Sequence, residues 1–242
     1  MFVDSLLIAW ELLVSFDPGL YAVVGRSLAL STIACALACV LGLFAGSFLA
    51  LRDFPGRGVL LTVLNTSLAL PSVVVGLAVY LLLSRSGPLG FLGWLFSFKA
   101  MVVAQTILVL PVVTALTRQV IAQADRMQGE GLRSMGAGTL MRACLLTWNE
   151  RFALMTVVLT GFGRAVSEVG AVMIVGGNME GFTRVMTTSI ALETSKGELP
   201  IALGLGIVLL VVVLFLNVLM GWVVRAGRQG AADDDAPRGA AA

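Results

Sequence analysis

The chain has 242 residues, of which 58% are hydrophobic and only 12% charged, with a formal net charge of +2. Soluble domains are nearer 45–50% apolar and about 25% charged, so this composition belongs to a membrane protein. Histidine is absent, which excludes a His-based triad, a histidine zinc site and an imidazole proton relay.

Residues 1–16 (MFVDSLLIAWELLVSF) are interrupted by Asp4 and Glu11, and no Lys or Arg precedes Arg26. Without a basic start and a small-residue cleavage site the segment does not read as a secretory signal. An amphipathic helix in the membrane interface fits residues 1–18; a sixth span is the alternative. A bilayer core needs roughly 20 apolar residues per helix. Uncharged runs at 27–51, 58–84, 100–117 and 199–224 then predict spans, the third beginning at about 97, and a fifth at 152–176 contains Arg164 and Glu168. The expected architecture is all-α: a polytopic membrane domain over 19–226 and a small, polar, disordered tail over 227–242.

Within these spans Pro71 and Pro111 predict bends, because a mid-span proline frees a carbonyl that neighbours must satisfy. Such bends either pack the bundle or line a pathway. Gly42 and Gly46 are spaced for close helix approach. Cys35 and Cys39, one turn apart, read as small apolar packing residues. The two lysines, Lys99 and Lys196, do not follow a Gly-x-x-x-x-Gly, so the chain carries no phosphate-binding loop and is not itself an ATPase.

Residues 118–151 form an Arg-rich insert between the third and fourth spans. Helical sequence at Gln119–Met127 and Thr139–Trp148 flanks glycines at 131, 136 and 138 that predict a sharp break. A solvated loop would not need Leu132, Met135, Leu140, Met141, Leu145 and Leu146; docking into a groove on another protein explains them. Arginines gather on this side: Arg52 and Arg57, the insert's Arg118, Arg126, Arg133, Arg142 and Arg151, then Arg225, Arg228 and Arg238. Positive residues concentrate on the cytoplasmic side, which puts the N-terminus outside and the C-terminus in the cytoplasm.

The insert resembles the coupling loop of binding-protein-dependent ABC importer permeases, E-A-A-x3-G-x9-I-x-L-P. Glu130 and Gly136 (EGLRSMG) fall on its Glu and Gly, and Leu146 on its Ile. Gly131 and Leu132 replace the two Ala, and Trp148–Asn149 replace Leu-Pro. Gly161–Asn178 (GFGRAVSEVGAVMIVGGN) with Phe182–Glu198 (FTRVMTTSIALETSKGE) resembles the oxyanion branch of these permeases, most of all its tungstate members; molybdate and sulfate permeases share the framework.

The resemblance implies a type I ABC permease core of five helices in the inner membrane, working as a homodimer by alternating access. It implies a cytoplasmic ABC ATPase dimer that binds ATP and Mg²⁺ and docks on Glu130, Gly131, Leu132, Gly136 and Leu146. A periplasmic or lipid-anchored oxyanion-binding protein would deliver tungstate. The chain itself would hold no cofactor, bind no nucleic acid and catalyse nothing.

Candidate path or gate residues are Arg164, Ser167, Glu168, Gly177, Asn178, Thr187 and Thr188. Intramembrane charges usually face an interior or a cavity. Spaced i, i+4, Arg164 and Glu168 either neutralise each other and lock the helix or border the path. Gly-rich turns and hydroxyls at Gly176–Asn178 and Thr187–Ser189 suit an oxyanion, although Thr and Ser also cap helices. A stand-alone secondary anion transporter fits less well: five spans do not divide into two equal inverted repeats.

Overall fold

The computed structural model describes residues 18–234; residues 1–17, where the interfacial helix is expected, and 235–242 of the tail lie outside the described residues. Within that range the elements are α1 (Pro18–Leu51), α2 (Arg57–Leu68), α3 (Ser72–Leu83), a single 3₁₀ turn (Gly90–Leu92), α4 (Phe98–Ser134), α5 (Thr139–Asn149), α6 (Arg151–Val166), α7 (Gly170–Gly176), α8 (Met186–Lys196) and α9 (Leu199–Asp234). The described fold is all-α. Three helices, α1, α4 and α9, are long and apolar enough to cross a bilayer alone; counting the bent pairs α2–α3 and α6–α7 as one span each gives five.

The spine is α4, 37 residues in one helix. It packs along α1, where two glycines set the spacing. A Cβ on Gly42 would stand 2.8 Å from Val113 Cγ1, and one on Gly46 would stand 2.7 Å from the Thr114 carbonyl. Both positions therefore serve the close approach that their spacing predicts. The spine separates two apolar clusters. One joins Leu30, Val75, Val79, Met101, Ala104 and Val172 from α1, α3, α4 and α7; the other joins Cys39, Val113, Ile121, Leu146 and Leu154 from α1, α4, α5 and α6. Cys35 and Cys39 lie buried in the second cluster, as small apolar residues do.

Pro71 does more than bend its span. The axes of α2 and α3 differ by 105°, with Pro71 in extended conformation at the N-cap of α3, where its missing N–H costs nothing. By contrast α4 runs through Pro111 as one helix. The fourth span breaks too, by 57° between Val166 and Gly170, where no proline stands. At its far end α9 reaches Asp234, so residues 227–234 continue a helix where a disordered tail was expected. Arg225, Ala226, Arg228, Gln229, Ala231 and Ala232 are all good helix formers, and extending an existing helix avoids the nucleation cost.

Candidate functional site

Two places gather the candidate residues: the α4–α5 hairpin and the break between α6 and α7. At the hairpin, Gly131 does not interrupt the chain, and α4 continues to Ser134. One helical glycine costs only about 1 kcal/mol, and the helix around it is already formed. The break belongs to Gly136, at φ +81°. Its N–H reaches the Arg133 carbonyl at 2.9 Å, and the Ala137 N–H reaches the Leu132 carbonyl at 3.0 Å. This is a Schellman closure, which needs a left-handed residue at that position. Glu130 and Gly136 thus have distinct duties: Gly136 turns the chain, while Glu130 stays exposed on the last turns of α4.

Past the turn, α5 folds back and is fastened to α4. Arg142, buried, forms an ion pair with Asp125, which also accepts from Arg133 at 3.2 Å. Asn149 donates to Gln128 at 3.1 Å. Room for the Asp125 carboxylate comes from Gly129, where a Cβ would lie 2.3 Å from Asp125 Oδ1. Leu146 is fully buried, packed in the cluster with Ile121, Ala124 and Leu154. In this chain it anchors α5 from beneath and presents nothing outward.

The circumference of α5 divides three ways. Arg142 and Leu146 face inward. Leu140, Cys144, Thr147 and Trp148 line a cleft against α1 and α6. Met141 and Leu145 face neither and are exposed, as are Met127 and Met135 on the α4 side of the turn, at 78% and 76%. A rigid hairpin therefore offers methionines with Glu130 beside them. Methionine is the adaptable apolar residue of protein-binding surfaces.

At the α6–α7 break, unwound backbone must be satisfied from elsewhere. Glu168 is almost completely buried. One carboxylate oxygen takes the Arg164 guanidinium at 2.7 Å, and the other accepts the Ala171 N–H at 3.2 Å on the first turn of α7. An acidic side chain at a helix N-terminus also meets the positive end of the helix dipole. Thr187 Oγ1 donates to the Glu168 carbonyl at 2.9 Å. From α4, the buried Gln105 amide donates to the Ala165 carbonyl. Arg164 keeps 35% of its side chain exposed against 3% for Glu168, so the guanidinium is the open member of the pair.

Ser167, exposed, donates back to the Arg164 carbonyl at 3.1 Å. Thr188 spends its hydroxyl on Val185, donating to the carbonyl and accepting from the N–H, each at 3.0 Å. That caps α8 locally. Asn178, at φ +49°, donates to the Thr188 carbonyl at 3.4 Å, and Gly177, at φ +69°, faces the Phe96 ring, 2.9 Å from where a Cβ would sit. Arg164, Glu168 and Thr187 are thus brought together, and Asn178 and Thr188 form a second contact. The five hairpin candidates lie apart from both.

Sequence reasoning passed over Asp125, Gly129 and Gln105. The first pair is local enough to have been found, since an aspartate one turn before a glycine is a visible spacing. Gln105 gives no such signal: its partner is 60 residues away.

Residues 38–229 match the family described as binding-protein-dependent transport system inner membrane component. Among its relatives, the tungstate uptake system permease protein of Peptoclostridium acidaminophilum is 41% identical over 212 residues, covering 88% of this chain and 93% of the relative. A probable anion ABC transporter permease protein of Haloferax volcanii is 40% identical, covering 83% and 88%. The tungstate uptake system permease protein of Campylobacter jejuni is 37% identical, covering 85% and 86%. The match covers most of the chain, both bent spans and the hairpin between them: this protein belongs to the family of inner-membrane permease components of binding-protein-dependent ABC transport systems.

Proposed function

We propose that this chain is the permease subunit of an ATP-driven tungstate importer. Two copies pair around a central path, with the N-terminus outside and the C-terminus in the cytoplasm. Each copy docks its 118–151 hairpin on a separate ABC ATPase, and an outside binding protein delivers the anion. The substrate follows from the relatives named for tungstate uptake. The coupling role rests on one observation above all: α5 is clamped to the spine by Arg142–Asp125 and Leu146, yet leaves an apolar methionine surface uncovered.

A clamped hairpin moves as one body with α4. Closure of two ATPases on ATP would draw the two hairpins together, and α4 would carry that motion into the membrane domain. The outward and inward forms are then two states whose balance nucleotide and anion shift. Near the α6–α7 break, Arg164 offers a charge to a passing dianion while Glu168 moderates it, keeping the encounter weak. Thr187 and Thr188 hold the surrounding backbone in shape.

The test is uptake of labelled tungstate by proteoliposomes holding the permease, its ATPase and the binding protein, in competition with molybdate and sulfate. Tungstate is expected to outcompete both and uptake to require ATP. Preference for molybdate or sulfate reassigns the substrate. Flux through the permease alone without ATP makes it a secondary transporter.

A further inference from the structure

We infer that the cleft between α1, α5 and α6 is a binding site for an anionic phospholipid. The cleft measures about 860 Å³, within the range of sites that enclose small molecules. Its walls are apolar: Phe44 and Leu51 from α1, Leu140 and Trp148 from α5, Leu154 and Met155 from α6. Two cationic side chains, Arg52 and Arg151, also line it.

These arginines stand at matching levels. Arg52 immediately follows the last residue of α1, and Arg151 is the first residue of α6, so each marks the end of an apolar run. Neither guanidinium is in an ion pair among the described residues. Arg52 lies 5.8 Å from the centre of the Phe48 ring. Arg151 lies 4.6 Å and 5.2 Å from those of Phe152 and Trp148, and donates to the Trp148 carbonyl at 3.0 Å. Nearby Asp53 is held by Arg57 at 2.6 Å, and Glu150 is not among the lining residues. Remaining guanidinium donors are therefore uncompensated at the end of a slot suited to hydrocarbon.

A phosphodiester takes two guanidiniums well, and basic pockets between membrane helices suit anionic headgroups. A second copy of this chain fits poorly. A symmetric contact through this patch would bring two copies of the same cationic surface together. Because α5 forms one wall, a bound lipid would brace the helix that carries the hairpin's outward face. The orientation proposed above puts this site in the cytoplasmic leaflet, and the inference rests on that reading for nothing else.

The test uses the full chain extracted from membranes in its native assembly. It is offered equimolar phosphatidylglycerol and phosphatidylcholine with identical acyl chains, and bound lipid is counted by native mass spectrometry. Retention of phosphatidylglycerol over phosphatidylcholine is expected at about tenfold, falling to near parity in Arg52→Gln/Arg151→Gln. The Lys pair should keep most of the preference. If the Gln pair fails to assemble, Ala143→Phe, which fills the cleft and spares both arginines, should release the lipid. Cys144, exposed while Cys35 and Cys39 are buried, accepts a photo-crosslinker that should capture lipid. Equal retention of the two lipids, preference unchanged in the variants, or capture of a second copy of this chain in place of lipid at Cys144 would overturn the proposal. Since lipid is counted rather than anion uptake, an error in the substrate leaves this result standing.

Discussion

Arg142 returns from α5 to meet Asp125 on α4, and both side chains are largely withdrawn from solvent, at 8% and 15% exposure. A surface ion pair contributes little, but one partner stranded beneath the hairpin is costly. Removing a single member of a buried pair destabilises by about 3–5 kcal/mol. Asp125→Ala is therefore expected to leave the membrane helices assembled while loosening α5. Uptake should fall at least about tenfold, with ATP hydrolysis by the partner no longer stimulated by the binding protein. Exchanging the charges (Asp125→Arg with Arg142→Asp) should restore part of the loss. Full activity in Asp125→Ala would refute the clamp.

Gly129 belongs to the same device. Its missing Cβ leaves space for the Asp125 carboxylate, so Gly129→Val should imitate Asp125→Ala. The two changes together should cost no more than either alone, because they break one interaction. Additive losses in a double-mutant cycle would separate the residues.

Gln105 supports the bent span from a distance. Gln105→Leu fits the volume but removes the donor to the Ala165 carbonyl, which then loses its side-chain partner inside the protein. The carbonyl keeps the Glu168 N–H at 3.2 Å, so a cost of about 0.5–1.5 kcal/mol is expected, read as a lower melting temperature of the purified permease. Gln105→Glu should be worse, since it sets a buried carboxylate against the Ala165 carbonyl. An unchanged melting temperature in Gln105→Leu would show that the break holds itself.

The Arg164–Glu168 pair separates packing from transport. Arg164→Ala should abolish uptake and leave assembly intact if the guanidinium meets the anion. Failure of the variant to assemble, with rescue by adding Glu168→Gln, would assign the pair to architecture alone. Assembly by gel filtration and uptake by labelled anion distinguish the two.

Much of this was readable along the chain, and the reasons differ by residue. Gly42, Gly46 and Pro71 carry their consequences in their own stereochemistry, so spacing and residue type suffice. Gly136 was visible as a break, and the structure adds that a Schellman closure demands it. Gly131 looked equivalent and is not, because a formed helix absorbs one glycine. Leu146 aligned with a docking motif, yet whether such a residue faces outward depends on where α5 lies against α4. Gln105 is the opposite case: a polar residue in an apolar run, whose amide meets Ser31 and the Ala165 carbonyl, both far along the chain. The break it serves has no proline, so nothing local announced it.

One continuous helix ties these distant places together. Gln105 and Asp125 stand twenty positions apart on α4, about 30 Å at 1.5 Å per residue, and the helix between them is continuous. A tilt imposed at the Asp125 end travels to Gln105 and the carbonyl it grips through Pro111, whose ring removes one i→i−4 hydrogen bond on the way. The helix supplies the reach, and Pro111 marks the point along it where the backbone ladder is weakest.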